Sequence, residues 1–275
     1  LANDPDADRL GVYAKDKKTG KYIQFTGNMS GMLLAEYELS VKKEKGLLKD
    51  DSTLITTIVS TNLAFKIAEY YKLNLIEVLT GFKFIGQQIK GFEEKGKGTY
   101  EFGFEESYGC LIGTHARDKD GIMAVVGLCE VAAYYMDKGL TLWDQMVNIY
   151  EKYGYFKEGI YTMTLAGEDG AKRINEILDN LRKNPPTELA GYKVVKTRDY
   201  ENDVVKDLTT GETGTTGLPK SNVLYFDMTN DAWFCVRPSG TEPKIKFYAG
   251  IKGDSLEDSE AKLNKVLAEL KKLGD

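Results

Sequence analysis

The sequence is poor in the residues that metal and redox centres usually draw on. Among 275 residues there is one histidine, His115, and there are three cysteines, Cys110, Cys129 and Cys235. A lone histidine is more often a structural hydrogen-bonding group than a catalyst. The cysteines are odd in number, sit inside apolar runs and form no C-x-x-C pair. That argues against a disulfide framework and against a zinc site, and fits a reducing, cytoplasmic setting. No apolar stretch reaches membrane-spanning length, and no signal peptide precedes the first strand, so no membrane is expected. Nor is there an excess of basic charge. A net charge of −5 argues against nucleic acid as a partner, while leaving room for a small phosphorylated ligand in a local basic pocket. A starting methionine is absent too: the chain opens Leu1-Ala2-Asn3-Asp4, straight into a polar loop, which implies a piece of a longer protein.

What is present suits a folded chain with a substantial core: 42% apolar and 29% charged residues. Strands are predicted over 10–13 and 22–25 around a polar turn, then a helix over 30–45. The β-branched run 53–59 reads as a buried, parallel strand. Helices at 63–71 and 84–92 alternate with strands at 75–79 and 100–104, the pattern of a layered α/β domain. Helices follow over 121–137 and 142–153, the second opened by Thr141 as N-cap. After a boundary near 154–160 the pattern changes. Strands at 161–165, 192–196, 223–227, 233–236 and 244–251 surround a helix over 171–183 with Ala171, Ile174, Leu178 and Leu181 on one stripe. A last helix, capped by Ser255, buries Leu263, Val266, Leu267 and Leu270. The predicted fold is therefore a three-layer α/β domain, a mixed sheet between helices, followed by a smaller α+β domain whose sheet is covered by helices on one side. Residues 209–217 read as a flexible loop.

Four loops carry chemistry. Asp4-Pro5-Asp6-Ala7-Asp8-Arg9 offers alternating carboxylates that suit a hard divalent cation. An EF-hand is excluded, because Arg9 stands where that loop needs glycine and Lys15 where it needs a bidentate glutamate. A solvated acidic turn remains open. Arg237-Pro238-Ser239-Gly240-Thr241-Glu242-Pro243 places a guanidinium, two hydroxyls and a glycine-freed amide together, donors for a phosphate dianion; an ordinary Ser-Gly turn is the alternative. Gly103-Phe104-Glu105-Glu106-Ser107-Tyr108-Gly109, followed by His115-Ala116-Arg117-Asp118-Lys119-Asp120-Gly121, supplies carboxylates fit to accept from sugar hydroxyls. Thr80-Gly81-Phe82-Lys83 lies where a strand meets a helix N-terminus, a usual ligand position in α/β sheets.

In this order the loops resemble those of the α-D-phosphohexomutase family, and the likeness spans essentially the whole chain. The resemblance implies magnesium ligation by Asp4, Asp6 and Asp8, although weak or absent in this chain alone. It implies substrate contacts from Thr80, Gly81, Phe82, Lys83, Glu105, Ser107, Arg237, Ser239, Gly240 and Thr241, and places Arg9, His115 and Lys119 in the active cleft. Glu106 resembles the phosphoglucomutase branch; sibling branches acting on mannose or glucosamine usually show Met or Gln there. The implied domains are 1–27, the remnant of a second domain; 28–156, a sugar-binding third; and 157–275, a phosphate-binding fourth. The family's Ser-His-Asn-Pro nucleophile loop is absent from the sequence. The implied activity, of a whole protein with the missing N-terminal half as partner, is interconversion of glucose 1-phosphate and glucose 6-phosphate through a phosphoserine. Glucose 1,6-bisphosphate would be the intermediate and activator. A sibling mutase on another hexose or pentose phosphate, or a non-catalytic sugar-phosphate-binding module, are the alternatives.

Overall fold

In the computed structural model, which describes residues 1–240 and 242–274, the chain divides into two compact units, Leu1–Gly154 and Tyr155–Asp275. The first is organised by its β-branched run. β4 (Ser52–Thr57) is buried at every position and pairs in parallel with β5 (Asn74–Val78) on one side and β6 (Thr99–Phe104) on the other. β7 (Cys110–Ile112) adds an antiparallel edge, so the sheet is mixed, in the order β5-β4-β6-β7. The chain leaves β4 for one neighbour through α2 (Leu63–Tyr71) and returns past it to the other through α3 (Phe82–Lys95). Right-handed crossovers in opposite directions put these helices on opposite faces. Ile55, Val78, Ile85, Ile89 and Tyr100 form the core under α3. On the other face α1 (Gly27–Glu44) brings Gly31 against the Phe104 ring.

α1 starts earlier than its apolar spacing suggests, because its cap and not the first apolar residue sets the end. Thr26 caps α1 by accepting from the Met29 amide at 3.2 Å. α4 (Gly121–Asp137) and α5 (Leu142–Tyr153) have their predicted limits, each fixed by a side-chain cap from Asp120 or Thr141. α1 is buried nearly all round. Its buried carboxylate, Glu36, accepts from Lys152 and from the Tyr153 hydroxyl, at 3.0 and 2.8 Å. The strand predicted over 53–59 ends at Thr57, where Ser60 N–H turns back to the Thr57 carbonyl. β1 (Ala2–Asn3), β2 (Leu10–Lys15) and β3 (Tyr22–Phe25) form a small antiparallel sheet within the same unit.

The second unit is an antiparallel sheet built from β8 (Tyr155–Thr164), β9 (Glu188–Leu189), β10 (Tyr192–Asp199), β11 (Val204–Asp207), β12 (Thr213–Gly214), β13 (Leu224–Met228), β14 (Trp233–Pro238) and β15 (Lys244–Gly253). α6 (Gly167–Lys183) and α7 (Leu256–Gly274) share one core with Phe226, Phe234, Val236, Phe247 and Ala249, so both helices cover the same face. Two expectations are corrected. Ala171 is exposed, and the buried stripe of α6 is Ile174, Ile177, Leu178 and Leu181. The segment expected as a flexible loop carries β12 in an ordered hairpin, because Asp207 accepts from the Thr209 and Thr210 amides and pins the turn. Among the described residues no helix is long and apolar enough to cross a membrane.

Candidate functional site

Because β4, β5 and β6 run in parallel, the segments leaving their C-terminal ends gather along one edge of the sheet. Two of the predicted loops, the acidic one and the one running from Gly103 to Gly121, meet there through backbone contacts. The Leu10 amide donates to the Tyr108 carbonyl (3.1 Å), and the Gly121 amide to the Ala7 carbonyl (3.0 Å). The Asp120 amide donates to Cys110 O (2.9 Å). The approaches are so close that a Cβ on Gly121 would lie 2.6 Å from Ala7 O, and one on Gly27 only 2.5 Å from Tyr108 N. The acidic loop, the Glu-Glu-Ser loop and the segment holding Lys119 are thus one woven structure.

The polar groups converge around Gly109, whose missing side chain makes room for the Lys119 stem. Glu105 is 4% exposed and accepts from the Ser107 hydroxyl at 2.9 Å. Lys119 Nζ lies 3.1 Å from Asp8 Oδ2. Burial by itself would push the Lys119 ammonium down. The Asp8 hydrogen bond and the nearby charges of Glu105, Asp118 and Asp8 outweigh it and hold the pKa above the ordinary lysine value. The site thus sets a fixed cation beside a buried carboxylate and a hydroxyl.

The acidic loop does not present three converged carboxylates. Asp4 Oδ1 accepts from the Asp8 and Arg9 amides, both at 3.2 Å, which closes the loop on itself. Asp8 is turned towards Lys119, Asp6 is exposed, and the exposed Arg9 side chain sits 3.9 Å from Asp8 Oδ1. Among the described residues no group of three or more His, Cys, Asp or Glu side chains is arranged to hold a metal ion. Asp8 Oδ1 is a buried oxygen with no hydrogen-bond partner, the single feature that suits a cation. As arranged, the three aspartates do not fit a bound magnesium.

The Thr80–Lys83 segment opens α3, with Gly81 at φ +121°, a conformation that needs glycine. Phe82, expected at the ligand, is instead 3% exposed and packs in the core with Ile85 and Ile89; its ring is unavailable for sugar contact. Lys83 is exposed and lies over the Phe84 ring, while Thr80 is half-buried. His115 Nε2 lies 3.0 Å from Asp120 Oδ2, and Asp120 Oδ1 caps α4 at Met123. The Met123 amide and His115 hold the Asp120 carboxyl below the ordinary aspartate range. His115 is thereby tied to the helix cap.

In the second unit, Arg237-Pro238-Ser239-Gly240 leaves β14 and returns in β15, with the Ser239 amide donating to the Lys244 carbonyl at 2.7 Å. Thr241 lies outside the described residues. Gly240 is exposed, with open space where a Cβ would stand. Arg237 pairs with Lys246 across the strands, and their neighbours Val236 and Phe247 point into the core under the helices. Alternation therefore puts both cations on the other face. Like charges directly opposite each other cost stability, and an anion between them would relieve that cost. Lys246 joins Arg237 only through strand register, which the spacing of Arg237, Lys244 and Lys246 in the sequence does not reveal.

Residues 26–153 match the family model of the phosphoglucomutase/phosphomannomutase alpha/beta/alpha domain III, and residues 174–269 match that of the C-terminal domain. The chain belongs to the phosphoglucomutase/phosphomannomutase family. A phosphoglucomutase of Staphylococcus epidermidis (strain RP62A) is 36% identical over 269 residues, covering 97% of this chain and 47% of its own. The chain thus spans about half the length of the curated relatives it matches. Among solved structures, parafusin of Paramecium, a phosphoglucomutase in its open form, aligns with TM-score 0.62 at 19% identity, over 99% of this chain and 43% of its own. An Aspergillus fumigatus N-acetylphosphoglucosamine mutase, solved with GlcNAc-6P and magnesium, aligns with TM-score 0.55 at 14% identity, over 100% and 48%. These two likenesses bear on the fold alone.

Proposed function

We propose that this chain is the substrate-recognising part of a phosphoglucomutase that interconverts glucose 1-phosphate and glucose 6-phosphate. The observation that carries the reading is the convergence of Glu105, Ser107 and Lys119 around Gly109, in a family whose relatives are named phosphoglucomutase. A hexose phosphate offers hydroxyls and a dianion. Glu105 and Ser107 supply acceptors for the hydroxyls. Lys119, held protonated, supplies positive charge for a phosphoryl oxygen or a proton for a leaving one. Arg237, Ser239, Gly240 and Lys246 supply donors and charge for a phosphate.

The chemistry is a double displacement. A phosphoserine outside this chain gives its phosphoryl group to the free hydroxyl of glucose 1-phosphate, forming glucose 1,6-bisphosphate. After the intermediate turns over, the serine takes back the other phosphoryl group and releases glucose 6-phosphate. Asp4, Asp6 and Asp8 belong to the loop in which family resemblance places magnesium. Their arrangement here goes with weak or absent magnesium binding by this chain alone. Titration calorimetry giving micromolar affinity that Asp6→Asn abolishes would overturn that.

The 275-residue chain is expected to be inactive by itself, because good binding without a nucleophile does not lower the chemical barrier. The test is a coupled assay with glucose 6-phosphate dehydrogenase, glucose 1,6-bisphosphate and magnesium. Turnover is expected for the full-length protein and none for the chain. Sustained turnover by the purified chain, after controls for host mutase, would sink this reading. Faster turnover of mannose or glucosamine phosphates by the full-length protein would move the assignment to a sibling mutase.

A further inference from the structure

α4 is apolar on every side. Its inner face, with Ala124, Leu128, Val131 and Tyr135, is buried. Its outer face is no more polar: Ile122, Val126 and Met136 are 59%, 57% and 70% exposed, and Cys129 and Ala133 between them are exposed as well. A helix that is apolar all round belongs in an interior, yet half of this one is open. The outer residues step by four and three in turn, the spacing of a seam that receives a second helix. The charged residues of α4 are Glu130 and Asp137, both acidic. An anionic lipid surface, or the same stripe on a second copy, would set acid against acid. The complement is therefore an apolar face with basic flanks.

The small sheet beside α4 is open on the same side. β1 covers only Leu10 and Gly11 of β2, and among the described residues Val12 to Lys15 pair with β3 alone. A strand edge left in this state invites another strand. The open edge lies on the α4 side of the sheet. Phe25 of β3 packs on Trp143 of α5, with ring centroids 6.1 Å apart, whereas at β1 the Asn3 side chain fills the space a Gly121 Cβ would need. At the far end of β2 the turn reaches the end of the helix, where Lys17 Nζ donates to Gly139 O at 2.7 Å. Strand edge and helix stripe thus run side by side. Given the mutase reading above, we propose that this double surface seats the part of the full-length protein that precedes these residues. One strand of it continues β1 along β2, and an apolar helix with basic flanks lies on α4. The matched family models are domain III and the C-terminal domain, and the chain spans about half the length of its curated relatives, which leaves a comparable length to be placed.

Cys129 stands on the stripe and is exposed, while Cys110 and Cys235 are buried, so its alkylation reads coverage of α4 directly. The test compares N-ethylmaleimide labelling of Cys129, located by peptide mass spectrometry, in the 275-residue chain and in the full-length protein. Labelling should be slower by about tenfold or more in the full-length protein, and the Val12–Lys15 amides should exchange hydrogen more slowly there by a similar factor. Val126→Lys should restore fast labelling in the full-length protein. It should leave the unfolding midpoint of the 275-residue chain unchanged, because the side chain meets solvent there. Equal labelling rates in the two proteins, unchanged exchange along β2, or a Val126→Lys protein that stays shielded would each overturn the proposal. Protection within the 275-residue chain itself that is lost on dilution assigns the face to a second copy, and protection seen only with phosphatidylglycerol vesicles assigns it to lipid. Either result overturns the proposal as well. A full-length protein that shields Cys129 yet turns over no hexose phosphate supports the docking surface, and it is the mutase reading that fails.

Discussion

In the first unit the candidate site is tied together by backbone groups far apart in sequence, while in the second the candidate phosphate loop closes within one hairpin. Ala7 meets Gly121, Leu10 meets Tyr108, and Gly27 lies against Glu106 and Tyr108. Between β14 and β15 the loop is held by a short-range bond from Ser239 to Lys244, and a Cβ on Gly240 would meet nothing within 4 Å. The first arrangement gives fixed geometry at the cost of requiring the whole unit to fold. The second can form early and adapt to its ligand. On the proposed function, precision over the sugar would sit in the first unit and accommodation of a phosphate in the second.

The sharpest way to break this contrast is to add one carbon in each place. Gly27→Ala drives its methyl group into backbone atoms that cannot step aside, and should destabilise the first unit by about 3 kcal/mol in urea unfolding. A loss under about 1 kcal/mol would show the weave to be slack. The next largest effect is on binding. Arg237→Ala should weaken inorganic phosphate or glucose 6-phosphate by about 1.5–3 kcal/mol in titration calorimetry, with the first unit's unfolding midpoint unchanged. An unaltered dissociation constant would make the hairpin loop merely structural.

Smaller again is the cap that joins His115 to α4. Asp120→Ala should cost about 1 kcal/mol, the usual worth of an N-cap. The folded pKa of Asp120 is depressed below its ordinary 3.8, so its stabilisation is fully present above that value and disappears as the pH falls through the folded value. Unfolding midpoints of wild type and Asp120→Ala should therefore approach each other in acid; a gap that stays constant down to pH ~2 would contradict this. Smallest of all, Gly240→Ala should change stability by no more than about 0.5 kcal/mol, in contrast with Gly27→Ala.

The layers were legible in the sequence wherever local chemistry decides the structure. The β-branched run announced the central parallel strand, and Thr141 and Ser255 marked helix starts that the structure keeps. Four loops could be singled out because each packs its polar groups within a few residues. What could not be read is what long-range packing decides. Phe82 looked like part of a ligand loop and is core, because α3 begins two residues early and the ring packs inwards. The short strands β11 and β12 carry no apolar alternation to betray them. The convergence of Lys119, Asp8 and Glu105 depends on which loops cross, and the Arg237–Lys246 pair on register; neither has a sequence spacing of its own.

The pairing of β8 with β15 has a consequence for how the protein is made. β8 is the first strand of its sheet to leave the ribosome, yet all ten of its residues pair with β15, from Tyr155 opposite Gly253 to Thr164 opposite Lys244. Translation at ordinary speed leaves that strand waiting for on the order of ten seconds before its neighbour exists. Until then a long ladder of backbone donors and acceptors, with Ile160 and Tyr161 along it, is open to mispairing between nascent chains or to capture by chaperones. Proteolysis of ribosome-stalled chains should cut within Tyr155–Thr164 until the segment ending at Gly253 has emerged, and protection at an earlier stall point would show that something else covers the strand.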